Sequence, residues 1–188
     1  MLKNARRMLH LTNQLLDFRK IQNNKMVLKI REIDVVAFTR EIFESFGPLA
    51  RHKGITCTLN SDFDSFSLFA DPGKLDIMIY NIISNAIKFT STGKSVSVRI
   101  AESDKTNSID ISVTAEGPGI PQKNLSDIFT RYSILSNQDL AGTGIGLSLS
   151  YELARLHCGD ILLSSTVGRG STFTIMLLKG SDHLLNSH

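Results

Sequence analysis

Residues 73–90 have the sequence GKLDIMIYNIISNAIKFT, and the fold prediction starts from this segment. Asp71 and Pro72 come directly before it, in the pattern of an N-cap followed by a first helical residue, so a helix is expected. Apolar side chains occur in nearly every direction around that helix, which is typical of a helix buried in a core. Four polar residues, spaced by seven, four and three positions, nevertheless share one narrow stripe of its surface: Lys74, Asn81, Asn85 and Lys88.

This polar stripe needs partners, because burying a neutral polar group without one costs about 1–3 kcal/mol. One explanation is a magnesium–polyphosphate ligand, since the amide oxygen of asparagine suits magnesium and the ammonium of lysine suits phosphate. The other explanation is internal: both asparagines bond neighbouring backbone, and Lys88 extends its ammonium to water. The stripe alone leaves both explanations open.

The composition places the chain among globular proteins. Its 188 residues are 41% hydrophobic and 21% charged, enough for one core without metal ions or disulfides. The net charge of +3 is spread along the sequence, so nucleic acid is not expected as a partner. Cys57 and Cys158 have no paired spacing, which predicts two reduced, half-buried thiols.

Helices and hairpin-like strands follow one another along the rest of the chain, which predicts an α+β fold. We expect a two-layer sandwich of a mixed, mostly antiparallel sheet covered by helices on one face, preceded by a long N-terminal helix. The tail, residues 180–188, has no pattern and is expected to be unstructured. Beyond residues 73–90, the predicted helices are 2–23, 35–53 and 144–157, and the predicted strands are 26–33, 55–61, 67–70, 95–102, 108–115, 160–167 and 171–178.

Glycine is unevenly distributed, and clustered glycines in loops suggest a phosphate cradle. A dinucleotide-binding fingerprint would need a glycine where Leu147 stands, and a Walker loop would need a lysine directly after Gly146. What fits is a glycine-rich segment entering a helix, whose free N–H groups and dipole favour an anion. None of the 13 glycines lies in the first 46 residues, and seven form three groups: Gly117 and Gly119; Gly142, Gly144 and Gly146; Gly168 and Gly170.

Five motifs, given in chain order at the end of this paragraph, resemble those of the ATP-binding domain of sensor histidine kinases. That domain belongs to the superfamily of gyrase, heat-shock chaperones and mismatch-repair ATPases. The resemblance covers residues 26–179 and implies the Bergerat-type ATP fold, with ATP and magnesium as cofactors. It implies that the hairpin at Gly168–Gly170 lies away from the nucleotide. The motifs are NIISNAIKFT with an N box at Asn81 to Lys88, EGPGI with a first glycine box at Gly117 to Ile120, IFTRYS with an F box at Phe129 to Tyr132, GTGIGLS with a second glycine box at Gly142 to Gly146, and GRGSTF.

The same resemblance implies roles for individual residues. Asn85 would ligate magnesium, Asn81 would assist at the phosphates, and Lys88 would neutralise phosphate charge. The backbone of residues 142–146 would hold the β- and γ-phosphates, and residues 129–141 would form a mobile lid in which Arg131 either reaches phosphate or packs the lid. The full set of expected nucleotide-binding residues is Asn81, Asn85, Lys88, Ala115, Gly117, Gly119, Ile120, Phe129, Arg131, Tyr132, Gly142, Thr143, Gly144, Ile145, Gly146, Leu147 and Thr172.

Position 115 departs from the family pattern. The family has an aspartate two residues before its first glycine that accepts a hydrogen bond from the adenine amino group, and this chain has Ala115. Losing such a charged acceptor costs about 1.5–3 kcal/mol, roughly ten- to a hundredfold in affinity. Glu116 is a poor substitute, because neighbouring side chains of a strand point to opposite faces. Two hypotheses therefore stay open: a catalytic ATP-binding domain, or a degenerate pseudokinase and dimerising module with weak or no ATP binding. An anti-sigma-factor-type serine kinase is a third.

The first helix argues against that third hypothesis. RRMLHLTNQLLDFRKIQ, within residues 1–25, resembles the second helix of the dimerisation and phosphoacceptor hairpin of hybrid-type sensor kinases. This implies a homodimer through the N-terminal helix, or alternatively a helix docked on its own domain, and a receiver domain or response regulator as partner in two-component signalling. His10 lacks the acidic neighbour of the acceptor histidine, so no catalytic residue is expected in this chain.

The resemblance also implies what lies beyond the sequence. The chain is expected to be a fragment, inactive alone, of a protein histidine kinase. That kinase would be the cytoplasmic portion of a bacterial inner-membrane sensor, with membrane contact only through missing sensor segments. No apolar run here reaches the roughly 18–20 residues of a membrane helix.

Overall fold

The computed structural model describes residues 12, 16–23, 25–103, 106–130, 144–181 and 184. A helix over residues 16–22, named α1, precedes a domain of strands and helices that ends with a hairpin. The remaining elements are β1 (Arg31–Asp34), α2 (Val35–Ser45), α3 (Gly47–Lys53), β2 (Thr56–Ser61), β3 (Ser67–Ala70), α4 (Pro72–Phe89), β4 (Ser95–Ser103), β5 (Ser108–Ala115), a short 3-10 turn (Gln122–Asn124), α5 (Gly146–Leu156), β6 (Asp160–Thr166) and β7 (Gly170–Leu178).

The main sheet has five strands in the order β2-β4-β5-β7-β6. Strand β2 runs parallel to β4, and the other neighbours are antiparallel. Strands β1 and β3 form a separate antiparallel pair. The predicted mixed, mostly antiparallel sheet is therefore confirmed.

The core lies between one face of this sheet and the helices. Helix α4 contributes the largest share of the core, but it is not buried on every side as its sequence suggests, because Tyr80 and Phe89 are 41% and 38% exposed. The opposite sheet face is lined with hydroxyl groups, such as those of Ser112 and Thr174, whose oxygens lie 2.8 Å apart. The side chains that join α4 to the sheet include Leu75, Met78, Ile79, Ile82, Ile83, Ile87, Val96, Val98, Ile100, Ile109, Ile111, Val113 and Ile175.

Helices α2 and α4 each begin at an aspartate N-cap, and the cap of α4, Asp71, is the one that the sequence predicts. The Asp34 carboxylate accepts hydrogen bonds from the backbone N–H groups of Val36 and Ala37, at 3.0 and 3.3 Å. The Asp71 carboxylate accepts from the N–H of Lys74 at 3.2 Å, and the backbone N–H of Asp71 donates to Nε2 of the buried His157. Asp71 and His157 thereby join the start of α4 to the end of α5.

Three sequence predictions need correction. The helix predicted over 35–53 is two helices separated at Phe46, because proline lacks the N–H a helix interior needs and Pro48 instead occupies the first turn of α3. The strand predicted over 26–33 is limited to Arg31–Asp34, and the backbone N–H of Lys29 is held by the Asp71 carboxylate at 2.7 Å. The tail is not wholly unstructured, since Leu184 is buried.

The predicted first helix lies mostly outside the described residues, which include only 12 and 16–23 of it. Within that part, Phe18 and Ile21 pack against the core of the domain. Cys57 and Cys158 are half-buried cysteines outside any disulfide, as predicted, and burial raises the pKa of the Cys57 thiol. Among the described helices, none has the length and apolar character required to cross a membrane.

Candidate functional site

The second half of α4 lies against the start of α5. Asn81 is 8% exposed, and its amide nitrogen donates to the carbonyl oxygen of Gly146 at 3.1 Å and to the hydroxyl of Ser150 at 3.2 Å. The Ser150 hydroxyl also donates to the Gly146 carbonyl at 2.9 Å. The internal explanation of the polar stripe therefore holds for the Asn81 amide. Its consequence is that the glycine-rich start of α5 is fastened to the helix carrying the N box.

The polar stripe divides into two parts. Lys74, at the start of α4, forms an ion pair with Asp17 of α1 at 2.9 Å, with both side chains about four-fifths buried. Asn85 and Lys88 are half-buried near the other end of α4, and the Lys88 ammonium lies 4.8 Å from the centre of the Phe89 ring. Lys74 is thus engaged with the N-terminal helix. The other three residues of the stripe lie on one face of α4, within two helical turns that span about 10 Å: Asn81, Asn85 and Lys88.

The start of α5 is suited to an anion. Ile145 occupies the N-cap position, and among the described residues no side chain caps this end. Free N–H groups at a helix start, together with the positive end of the helix dipole, attract phosphate. The Ile145 side chain is in the core, so only the backbone of Gly144, Ile145 and Gly146 is available to a ligand. Leu147 likewise packs against the core.

The first glycine loop, residues 117–120, is held between α4 and the turn joining β6 to β7. A Cβ at Gly117 would lie 3.2 Å from the carbonyl oxygen of Phe89. At Gly119, where φ is +73°, a Cβ would lie 2.2 Å from the carbonyl oxygen of Thr166. Two hydrogen bonds of 2.8 Å complete the attachment, from Gly168 N to the Pro118 oxygen and from Ile120 N to the Ser165 hydroxyl.

This attachment places the Gly168–Gly170 hairpin against the first glycine loop, a contact that the sequence did not predict. The turn supports the first glycine loop directly. A Cβ at Gly170 would lie 2.0 Å from the carbonyl oxygen of Ala115, so the hairpin also contacts the end of β5. At least two glycines of the three groups, Gly119 and Gly170, therefore permit close approach of backbone to backbone.

The strand register places Ala115 and Thr172 on opposite faces of the sheet. Ala115 is buried on the helix-covered face and lies opposite Ser171. Thr172 lies opposite Thr114, with the two hydroxyl oxygens 2.9 Å apart on the outer face. Thr172 therefore does not share a face of the sheet with Ala115, because side chains alternate along a strand, and its role at the site stays a prediction.

Ser171, which the sequence prediction did not include, lies opposite Ala115 on the same face of the sheet. Its hydroxyl lies 2.8 Å from that of Ser165, which also accepts from Ile120. The aromatic residue two positions later, Phe173, packs against the core, and residues two apart on a strand share a face. The position of Phe173 in the sequence therefore already indicated that Ser171, rather than Thr172, faces the same side of the sheet.

Glu116 does not replace the missing carboxylate at position 115. Its side chain accepts a hydrogen bond from the backbone N–H of Ser95 at 2.8 Å, and its own N–H donates to the Ser95 carbonyl at 3.0 Å. Hydrogen bonding to Ser95 lowers the pKa of the Glu116 carboxyl. The charge is therefore held at the start of β4.

Phe129 of the F box is anchored by aromatic contacts. Its ring centre lies 4.9 Å from that of Tyr151 on α5, in a stacked arrangement, and 6.4 Å from that of Phe173 on β7, edge to face. Arg131, Tyr132, Gly142 and Thr143 lie outside the described residues, as do residues 131–141 of the expected lid.

The comparisons with known proteins bear on this arrangement. A family model described as histidine kinase-, DNA gyrase B-, and HSP90-like ATPase matches residues 70–181, more than half of the chain. The chain belongs to this family. Histidine kinase P4 of Formosa agariphila is 35% identical over 189 residues, covering 97% of this chain and 14% of that protein. Aerobic respiration control sensor protein ArcB of Escherichia coli is 32% identical over 170 residues, covering 88% of this chain and 22% of that protein.

A solved structure supports the same assignment. Full-length ShkA in complex with AMPPNP matches with a TM-score of 0.83 and 25% identity, covering 95% of this chain and 37% of that one. The predicted fold and the prediction of a histidine-kinase catalytic ATPase domain are confirmed. The chain spans only 14% to 22% of the two curated relatives, Histidine kinase P4 and ArcB.

Proposed function

We propose that this domain binds ATP with magnesium and presents the γ-phosphate to a histidine on a helix outside the chain, as part of a sensor histidine kinase in two-component signalling. The observation that carries the proposal is the junction of α4 and α5, where Asn81 holds the start of α5 beside Asn85 and Lys88. Amide oxygens can ligate magnesium. An ammonium group and free backbone N–H groups can bind phosphates.

Each part of this site has its own role in the proposal. Asn85 holds the metal through its amide oxygen, and Lys88 neutralises phosphate charge. The backbone N–H groups at the start of α5 bind the terminal phosphates. Bound magnesium supplies charge neutralisation at the phosphates. Phosphoryl transfer depends mainly on positioning and charge stabilisation, so the chain needs no nucleophile of its own.

The partners and location of the whole protein are proposed from the resemblance of the first helix. We propose a homodimer through the N-terminal helix, a receiver domain or response regulator as phosphate acceptor, and a place on the cytoplasmic side of a bacterial inner membrane. The described part of that helix packs Phe18 and Ile21 on its own domain, so dimer contacts would come from its other residues.

Ala115 is the observation that favours the alternative, a degenerate domain with little affinity for ATP. Calorimetry with ADP and magnesium, on the wild type and on Ala115→Asp, separates the two. We expect the wild type to bind and the variant to bind roughly ten- to a hundredfold more tightly, because a carboxylate facing a buried donor contributes about 1.5–3 kcal/mol.

Thr114→Asp is the matched control, because it adds the same charge to the same strand on the outer face, where Thr114 is exposed. Its affinity should equal that of the wild type. Nucleotide binding by Ala115→Asp, with none by the wild type or by Thr114→Asp, would establish the degenerate alternative. Absence of binding up to millimolar nucleotide in every variant would refute the proposed function.

A further inference from the structure

Lys53, the last residue of α3, caps the far end of α4. Its ammonium donates to three backbone carbonyl oxygens: those of Ile87 at 2.7 Å, Lys88 at 3.0 Å and Thr90 at 3.4 Å. The last four carbonyls of a helix have no partner within the helix, so an external donor is needed there. This cation supplies the donor from 34 to 37 residues away in the sequence.

The surroundings of this cap are rigid. The backbone N–H of Gly93 donates to the Gly54 carbonyl at 2.8 Å, and that of Thr56 donates to the Lys94 carbonyl at 3.0 Å, so the end of α3 is joined to the α4–β4 turn. On another side of the same helix end, Gly117 approaches the Phe89 carbonyl. The last turn of α4 is therefore held between Lys53 and the first glycine loop.

We propose that Lys53 is a positioning residue for the nucleotide phosphates and that it acts through Lys88. This inference rests on the proposed function, because it assigns to Lys88 the contact with phosphate. Lys53 bonds the peptide of Lys88 itself and so sets where that side chain starts. It also offsets the negative end of the α4 dipole, equivalent to roughly half an elementary charge, which would otherwise repel phosphate beside Lys88.

The test is a double-mutant cycle on ADP–magnesium affinity, measured by calorimetry well below each melting temperature. Lys53→Met keeps the aliphatic stem and removes the ammonium, and we expect it to weaken binding by about fivefold. In the Lys88→Met background the loss should be clearly smaller, because the part that acts through Lys88 is then absent and only the effect on the helix dipole remains. A purely structural role would weaken binding equally in both backgrounds and would overturn the proposal.

Two variants serve as controls. Lys53→Arg retains a cation with several N–H donors and should bind within about twofold of the wild type, which is the rescue expected of a cap. Lys94→Met removes an exposed lysine from the α4–β4 turn and should leave affinity unchanged. Equal losses of affinity in Lys94→Met and Lys53→Met would show that the effect comes only from the lower net charge, and would refute the role of Lys53.

Remaining outcomes are also decisive. If Lys53→Met does not fold, Lys53→Gln retains two N–H donors without the charge, and an unchanged affinity in that variant would overturn the electrostatic part of the proposal. Wild-type binding that Lys53→Met does not alter would refute the role of Lys53 while leaving the proposed function intact. Absence of nucleotide binding by the wild type would refute both.

Discussion

Replacing Gly119 with alanine tests whether the first glycine loop depends on its contact with the β6–β7 turn. The new Cβ would lie 2.2 Å from the carbonyl oxygen of Thr166, which is backbone and cannot rotate away. The φ of +73° adds about 1–2 kcal/mol for a residue with a side chain. Detaching the loop would also break the hydrogen bonds at Pro118 and Ile120, each worth about 0.5–1.5 kcal/mol net.

These contributions predict a loss of about 2–5 kcal/mol in the free energy of unfolding for Gly119→Ala. Gly168→Ala is the matched control, since its φ is +78° and nothing lies within 4 Å of a Cβ there. It should lose only the backbone contribution of about 1–2 kcal/mol. Urea unfolding measures both values, and a melting scan should show about 2–4 °C per kcal/mol for a domain of this size. Equal losses in the two variants would refute the argument that close backbone contact holds this loop.

Three further predictions concern charged groups. Burial acts to raise the pKa of Asp34, but hydrogen bonds from backbone N–H groups outweigh it and lower the pKa. The stability that the Asp34 carboxylate gives to the folded protein is therefore complete above the pKa of Asp34 in the unfolded chain. It is lost as the pH falls through the lower pKa of Asp34 in the folded protein. Asp34→Ala should thus lower the free energy of unfolding, measured with urea, by about 1 kcal/mol at neutral pH and by progressively less below about pH 4. A loss that is independent of pH would contradict the capping role. Lys74→Met removes the ion pair with Asp17 and leaves the mostly buried Asp17 carboxylate without its partner, so it should cost about 1–3 kcal/mol of stability and speed proteolysis of residues 23–30. An unchanged cleavage rate would show that apolar packing alone holds α1. Glu116→Gln should leave ADP affinity unchanged in calorimetry, because the carboxylate is bonded to Ser95, and a large loss would mean that this charge faces the nucleotide.

Predictions from local pattern were the most accurate. The caps of α2 and α4 follow from Asp34 and Asp71, whose side chains bond N–H groups two or three residues away. The split of the helix at Phe46 was also accessible, since Gly47 and Pro48 are adjacent in the sequence, and the prediction failed by giving more weight to apolar periodicity than to proline. Strand alternation, applied to the residues before Phe173, would likewise have placed Ser171 rather than Thr172 on the face of Ala115.

The site itself could be predicted only in part. The N box and the start of α5 were identified by residue type, and they do lie together, with Asn81 bonded to Gly146 across 65 residues of sequence. What residue type could not show is the partner of each group. The stripe of α4 gave no sign that Lys74 would pair with Asp17, because that contact depends on how α1 packs against the domain.

Local patterns in the sequence predicted most of the helices and strands, the cap of α4 and the family, because those depend on residues close together in the chain and on ordered motifs. Tertiary structure alone decided which glycines lie against backbone, as Gly119 does at Thr166. It also decided that Lys53 caps α4 and that Ser171 lies opposite Ala115. The physical reason is that register and packing between distant segments set these contacts, and a local pattern carries no information about which distant backbone atom a side chain will meet.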